Sequence, residues 1–295
     1  MATSKHATWL AWASMLLLSI LPNVLFNELT GSTPAWLQPA KWALLAGLIL
    51  LSLLWQPAMR LRAYFAIFAA IVLAETVAMR MTGAAFWRNW FAADNFTTSM
   101  LSVQLGRLTA TLLILLALFA LGYRGERAFL NRGDGAAPGA GMAIFGFEKG
   151  DSWRRMGPRI AVYIGGAMLV MMAVLRRPSA AAWVGLLPVL PAILFFAAVN
   201  AFSEEVSYRA TLISTSESVL GGSGAVWLAA VFFGISHYYG VPYGWIGVLL
   251  SGFFGWVLGR AMLETRGLFW PWLIHMASDI AIFSFMAMGG VTPGG

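Results

Sequence analysis

The sequence predicts an all-α membrane fold, a polytopic bundle of about eight or nine transmembrane helices. Three observations carry this expectation. Charged residues make up only 11% of the 295-residue chain and hydrophobic residues 60%, whereas a water-soluble domain carries about a quarter charged residues. Mean hydropathy is +0.76. The apolar residues also gather into runs near the length of about 20 that a bilayer core requires. Backbone groups in lipid must be satisfied within their own segment, and that selects helices.

In chain order the apolar segments run from Thr8 to Phe26, Trp42 to Ala58, Ala63 to Met79, Leu101 to Tyr123, Ile160 to Leu175, Ala181 to Phe202, Ala225 to Ser236, Trp245 to Met262 and Leu268 to Met288. The first follows a weakly basic start, and no clear A-x-A site lies behind it, so it reads as a retained helix and not as a removed leader. The seventh is short and reads as tilted or half-buried, which leaves eight spans as an option.

Between the fourth and fifth segments lies a basic connection. It contains GDGAAPGAG, read as flexible, and then FGFEKGDSWRRMG, read as a short surface helix ahead of the next span. The chain therefore divides into an N-terminal transmembrane region of about four helices at 1–123, a cytoplasmic connection at 124–159 and a second helical part at 160–295. Lys and Arg are concentrated on the loops that share a side with the N-terminus, Arg124, Arg127, Arg132, Arg154 and Arg155 among them. That side is expected to be cytoplasmic, in a plasma (inner) membrane of bacterial type.

The net charge of +7 is explained by the same topology signal, since the basic residues flank apolar segments and form no stripe, and no nucleic acid is expected as a partner. The chain has no cysteine. Disulfides, a thiol nucleophile, Cys-ligated zinc and prenyl or palmitoyl attachment are thereby excluded.

Ionisable residues in or at the ends of spans are costly, and these are Glu75, Arg107, Glu204, Glu205, Arg209, His237, His275 and Asp279. Most of them fall after the basic connection. On a helix, Glu205 and Arg209 stand at i and i+4 with the acid first, the favourable order for an ion pair. Glu204 points about 100° away, where Arg209 neutralises it less directly, and it is the better candidate for a general base. A buried ionic cluster that only locks helices together is the competing reading. Of the three histidines, His6 sits in the tail. The other two each share a helix face with a partner at i, i+4 spacing, His237 with Phe233 and His275 with Asp279.

These residues stand as EEVSYR from Glu204, FGISH from Phe233 and HMASD from His275. In this order they resemble the E-E-x-x-x-R, F-x-x-x-H and H-x-x-x-N/D motifs of the intramembrane glutamic proteases that include CAAX prenyl proteases and bacteriocin-processing enzymes, the CPBP or Abi family. The resemblance runs roughly from Phe145 to Met288. It implies hydrolysis of a peptide bond within the membrane, with water as nucleophile, no cofactor, and a membrane-associated peptide or protein as substrate.

By the same resemblance Glu204 and His237 take the water's proton, and His275 and Asp279 face the substrate carbonyl. Glu205, Arg209 and Phe233 support them. Since an ionised carboxylate cannot donate, Asp279 is expected to accept from His275 and orient it. A prenylated CAAX terminus, a bacteriocin leader and a C-terminal sorting tag all fit this set as substrates.

Two rival readings use the same residues. Glu204, His237 and His275 would make a His₂Glu zinc set with an open position for water, although no H-E-x-x-H is present. Alternatively, Glu75, Arg107 and the Glu/His set would form the proton relay of a non-proteolytic transporter or scaffold, although no internal repeat supports one. Tyr238, Tyr239, Tyr243 and Trp245 read as an interfacial aromatic belt, and Gly234, Gly240, Gly244, Gly252, Gly255 and Gly259 as sites of close helix approach.

Overall fold

The computed structural model describes residues 5–92 and 95–289, so the outer limits of the expected 1–123 and 160–295 parts lie outside the described residues. The helices are α1 (Lys5–Leu18), α2 (Leu21–Thr30), α3 (Leu37–Leu54), α4 (Gln56–Met59), α5 (Arg62–Thr82), α6 (Ala85–Trp90) and α7 (Phe96–Ala120), then α8 (Trp153–Arg176), α9 (Ala180–Val184), α10 (Leu190–Glu204), α11 (Thr211–Ser236), α12 (Trp245–Thr265) and α13 (Phe269–Ala287). Among the described residues the only β-type pairings are two isolated bridges, Pro138–Ser152 and Met142–Phe147. The all-α expectation holds, and the protein is an integral membrane protein.

The expected eight or nine spans are not reached. Six helical stretches among the described residues are long and apolar enough to cross a membrane, or seven if α1 and α2 are one broken span. The first expected segment bends by 51° between α1 and α2, where Pro22 opens the new helix and cannot continue the old hydrogen-bond ladder. The segments expected at Ala181–Phe202 and Ala225–Ser236 lie within one helical stretch, Ala180–Ser236. That stretch is interrupted at Gly221, whose φ of 72° and ψ of 164° favour a residue without a Cβ. The last expected segment forms α13, which carries His275 and Asp279 and is not among the six.

The largest core cluster joins the two halves of the chain, with Met15, Phe68 and Leu118 packing in one apolar body with Ile213, Leu228 and Phe232. Phe68 meets Phe232 edge to face at 5.4 Å, and Tyr64 donates to the Ala11 carbonyl at 2.8 Å. The N-terminal helices are thus packed on α11 itself.

The expected surface helix ahead of the fifth span is absent as a separate element, because Trp153–Pro158 form the first turns of α8. The preceding chain is docked on the turn between α12 and α13. The amide of Asp134 donates to the Thr265 carbonyl and that of Leu268 to the Asn131 carbonyl, both at 2.8 Å. Trp153, fully buried, donates from Nε1 to Glu264 at 2.9 Å, and Arg260 donates to the Gly141 carbonyl at 2.8 Å.

Glycines set the approach of the helices around the site. A Cβ on Gly234 of α11 would stand 2.6 Å from the Val248 carbonyl of α12, and one on Gly255 would stand 3.1 Å from the Phe233 ring. Gly244 has a different task, opening α12 with φ at 82°. On α8, a Cβ on Gly157 would lie 2.2 Å from the Trp270 ring of α13. Gly157→Ala is therefore expected to destabilise the protein by about 1–3 kcal/mol through overpacking, read as a lower melting temperature in detergent. An unchanged melting temperature would show that Trp270 can shift freely.

Candidate active site

The site forms where α10 changes pitch. Up to Ser203 the helix is apolar and ordinary, but Glu205–Ala210 winds as a π-helical turn before α11 begins. Such wide turns are rare and are frequently found at functional sites. Within this turn Arg209 donates from Nη1 to Glu205 Oε1 at 2.7 Å, with both side chains fully buried. The ion pair expected from the spacing is present.

Phe233 of α11 supplies the rest of the arginine's environment. The Arg209 guanidinium carbon lies 3.9 Å from the Phe233 ring centroid, a cation–π contact worth about 2 kcal/mol when desolvated. Arg209 Nε and Nη2 and Glu205 Oε2 make no hydrogen bond among the described residues. The aromatic face and the opposite charge stabilise the cation in their place. The same ring lies 4.2 Å, centroid to centroid, from His237 and 6.0 Å from His275. Phe233 is the packing centre of the two imidazoles and the guanidinium.

The two histidines are fixed by different acceptors. At the end of α11, His237 donates from Nδ1 to the Phe233 carbonyl at 2.8 Å, which leaves the lone pair on Nε2 in the neutral ring. His275 on α13 donates from Nδ1 to Glu205 Oε1 at 2.6 Å. Its Nε2 is 3.6 Å from Glu204 Oε2 and 3.7 Å from Asp279 Oδ1, both beyond a direct hydrogen bond. The acceptor at His275 Nδ1 is thus Glu205 and not Asp279. The π-helical turn brings that carboxylate beneath Nδ1, while Asp279 Oδ2 accepts instead from Asn200 Nδ2 at 2.9 Å.

Glu204, expected to be neutralised less directly by Arg209, meets a different cation, from the N-terminal half. Arg107 Nη1 on α7 donates to both Glu204 Oε1 and Asn200 Oδ1. Asn200, one turn before Glu204 on α10, donates to the same Oε1 at 3.3 Å, and Gln104 donates to Asn200 Oδ1 at 3.2 Å.

The structure therefore gathers Glu204, Glu205, Arg209, Phe233, His237, His275 and Asp279 around one point. It adds Asn200 and Gln104, which sequence reasoning passed over. Their signal was faint: N-x-x-x-E on an apolar helix for Asn200, and a lone amide one turn from an intramembrane arginine for Gln104.

Among the described residues no three His, Asp or Glu side chains are grouped so as to hold a metal ion. Glu204, His237 and His275 do not form such a group, and Arg107 pairs with Glu204 through Oε1. Glu75 makes none of these hydrogen bonds among the described residues. It lines a cavity of about 110 Å³ together with Lys41, Tyr208 and Ser236, where Lys41 donates to the Ser19 carbonyl and Asn23 Oδ1, each at 2.6 Å.

Residues 186–281 match the family model described as type II CAAX prenyl endopeptidase, Rce1-like. No curated protein and no solved structure matches the chain. All three motifs and Asn200 fall inside the matched stretch, whereas Arg107 and Gln104 fall outside it. The chain is thus an integral membrane protein in which residues 186–281 are similar to the type II CAAX prenyl endopeptidases of Rce1-like kind.

Proposed function

We propose that the protein hydrolyses a peptide bond near the membrane-associated terminus of a peptide or protein, with a water activated by Glu204 and His237 and without a metal. The observation that carries this reading is the arrangement of Glu204 against His275. One carboxylate oxygen, Oε1, is held by Arg107 and Asn200, and the other, Oε2, faces His275 Nε2 at 3.6 Å.

In this mechanism Glu204 Oε2 takes a proton from water as the water oxygen adds to the carbonyl carbon. The Nε2 lone pair of His237 assists, and general-base help of this kind is worth about 10² to 10⁴ in rate. His275, with Nδ1 given to Glu205, carries its second N–H on Nε2 as imidazolium and donates it to the developing oxyanion. The proton held by Glu204 passes to the departing nitrogen as the C–N bond breaks, giving a carboxylic acid and an amine. Asp279 supports Asn200, while Arg209 and Phe233 keep Glu205 and the imidazoles in register. Prenylated CAAX termini are the substrate class that the family match favours. The basic connection supports a cytoplasmic N-terminus in a bacterial-type plasma membrane.

The test is cleavage of a panel of prenylated and unprenylated fluorogenic peptides by detergent-purified protein, with and without chelator. The expected result is cleavage of one peptide class at a rate that chelator leaves unchanged. Loss of cleavage in chelator and its return with zinc would overturn the metal-free mechanism. Silence across the panel would overturn hydrolysis itself.

A further inference from the structure

We infer that Arg107, which lies outside the matched stretch, is a positioning residue of the catalytic site that selects the reactive oxygen of Glu204. The inference rests on the hydrolytic reading above and extends it to the N-terminal helices, to which no motif assigns a task.

Arg107 sits mid-way along α7, where a charge in the membrane is costly unless it meets a partner or an opening. A partner is present. Its side chain is 46% exposed, yet Nη1 reaches inward to Glu204 Oε1 and Asn200 Oδ1. Asn200 Oδ1 also accepts from Gln104, one turn earlier on α7. Two donors on that oxygen fix the orientation of the amide. Its Nδ2 is thereby directed at Glu204 Oε1 and Asp279 Oδ2.

The result is a network from α7 through α10 to α13 that satisfies one oxygen of Glu204 twice. Oε2 is the oxygen left to face His275 Nε2. Without Arg107 the carboxylate can rotate about its last torsion, and either oxygen can meet the water. Misplacing a reacting atom by about 1 Å can cost about 10²-fold in rate.

The experiment measures kcat and KM of Arg107→Lys, Arg107→Met and Arg107→Ala, the last with and without added guanidinium ion well below denaturing concentration. Each variant's melting temperature is recorded beside its kinetics. The expected result is a fall in kcat of about 10²-fold for Arg107→Met with KM within about threefold. Arg107→Lys recovers much of the rate, and guanidinium restores part of it to Arg107→Ala, because the half-exposed position admits a small cation.

A rise in KM with kcat unchanged would overturn the role and make Arg107 a substrate-binding residue. A fall in kcat matched by a lower melting temperature, with no rescue by Lys or guanidinium, would reduce Arg107 to a structural strut. If the unaltered protein cleaves nothing, the hydrolytic reading fails and this inference with it. If that protein is active and Arg107→Met keeps its kcat, this inference alone fails.

Discussion

Glu204→Gln is expected to lower kcat by about 10³-fold, within the range of a lost general base, while the melting temperature in detergent stays close to that of the unaltered protein. The two expectations have separate causes. Gln matches Glu in shape, and its amide oxygen still accepts from Arg107 and Asn200, so the network across α7, α10 and α13 keeps its hydrogen bonds. The group facing His275 Nε2 can no longer carry a proton away from water. The measurement is single-turnover cleavage of whichever peptide the panel selects, beside thermal unfolding of the same preparation. Activity within tenfold of the original would remove Glu204 as the base and leave His237 as the next candidate.

Arg209→Met has the largest expected effect on stability. Arg209 and Glu205 are fully buried, and taking the cation away leaves a carboxylate whose remaining partner is His275. Breaking a buried pair from one side costs about 3–5 kcal/mol, whereas replacing both members by apolar residues of similar volume is often close to neutral. The double variant Glu205→Leu/Arg209→Met should therefore recover most of the stability that Arg209→Met loses. It should not recover activity, because His275 Nδ1 then has no acceptor to set its ring. Denaturant unfolding of the two single variants and the double variant reads the coupling directly. Additive losses would mean that the pair does not act as a unit.

The parts legible in the sequence were those governed by local periodicity. The spacing of Glu205 and Arg209 implied the ion pair, and it formed. The spacing of Phe233 and His237 implied a shared face, and the ring and the imidazole are in contact. His275 and Asp279 share a face as well, yet at 3.7 Å they make no direct hydrogen bond. Their partners come from α10 and its π-helical turn, which no pattern on α13 reveals. The bend at Pro22 and the break at Gly221 were not legible either, because apolar run length registers neither. Arg107 was visible as an intramembrane charge, but a contact across 97 residues of sequence leaves no local trace.

The core cluster that joins Met15, Phe68 and Leu118 to Ile213 and Phe232 has a consequence for biosynthesis. Chains emerge from the ribosome N-terminus first and fold largely in that order. The helices that carry Met15, Tyr64 and Arg107 enter the bilayer while the three motifs are still untranslated. They form the surface on which α11 later settles, and Arg107 waits there as a cation for a carboxylate made much later. A chain that begins after the basic connection would lack that surface. The matched stretch would then insert without the guanidinium that Glu204 meets in this structure.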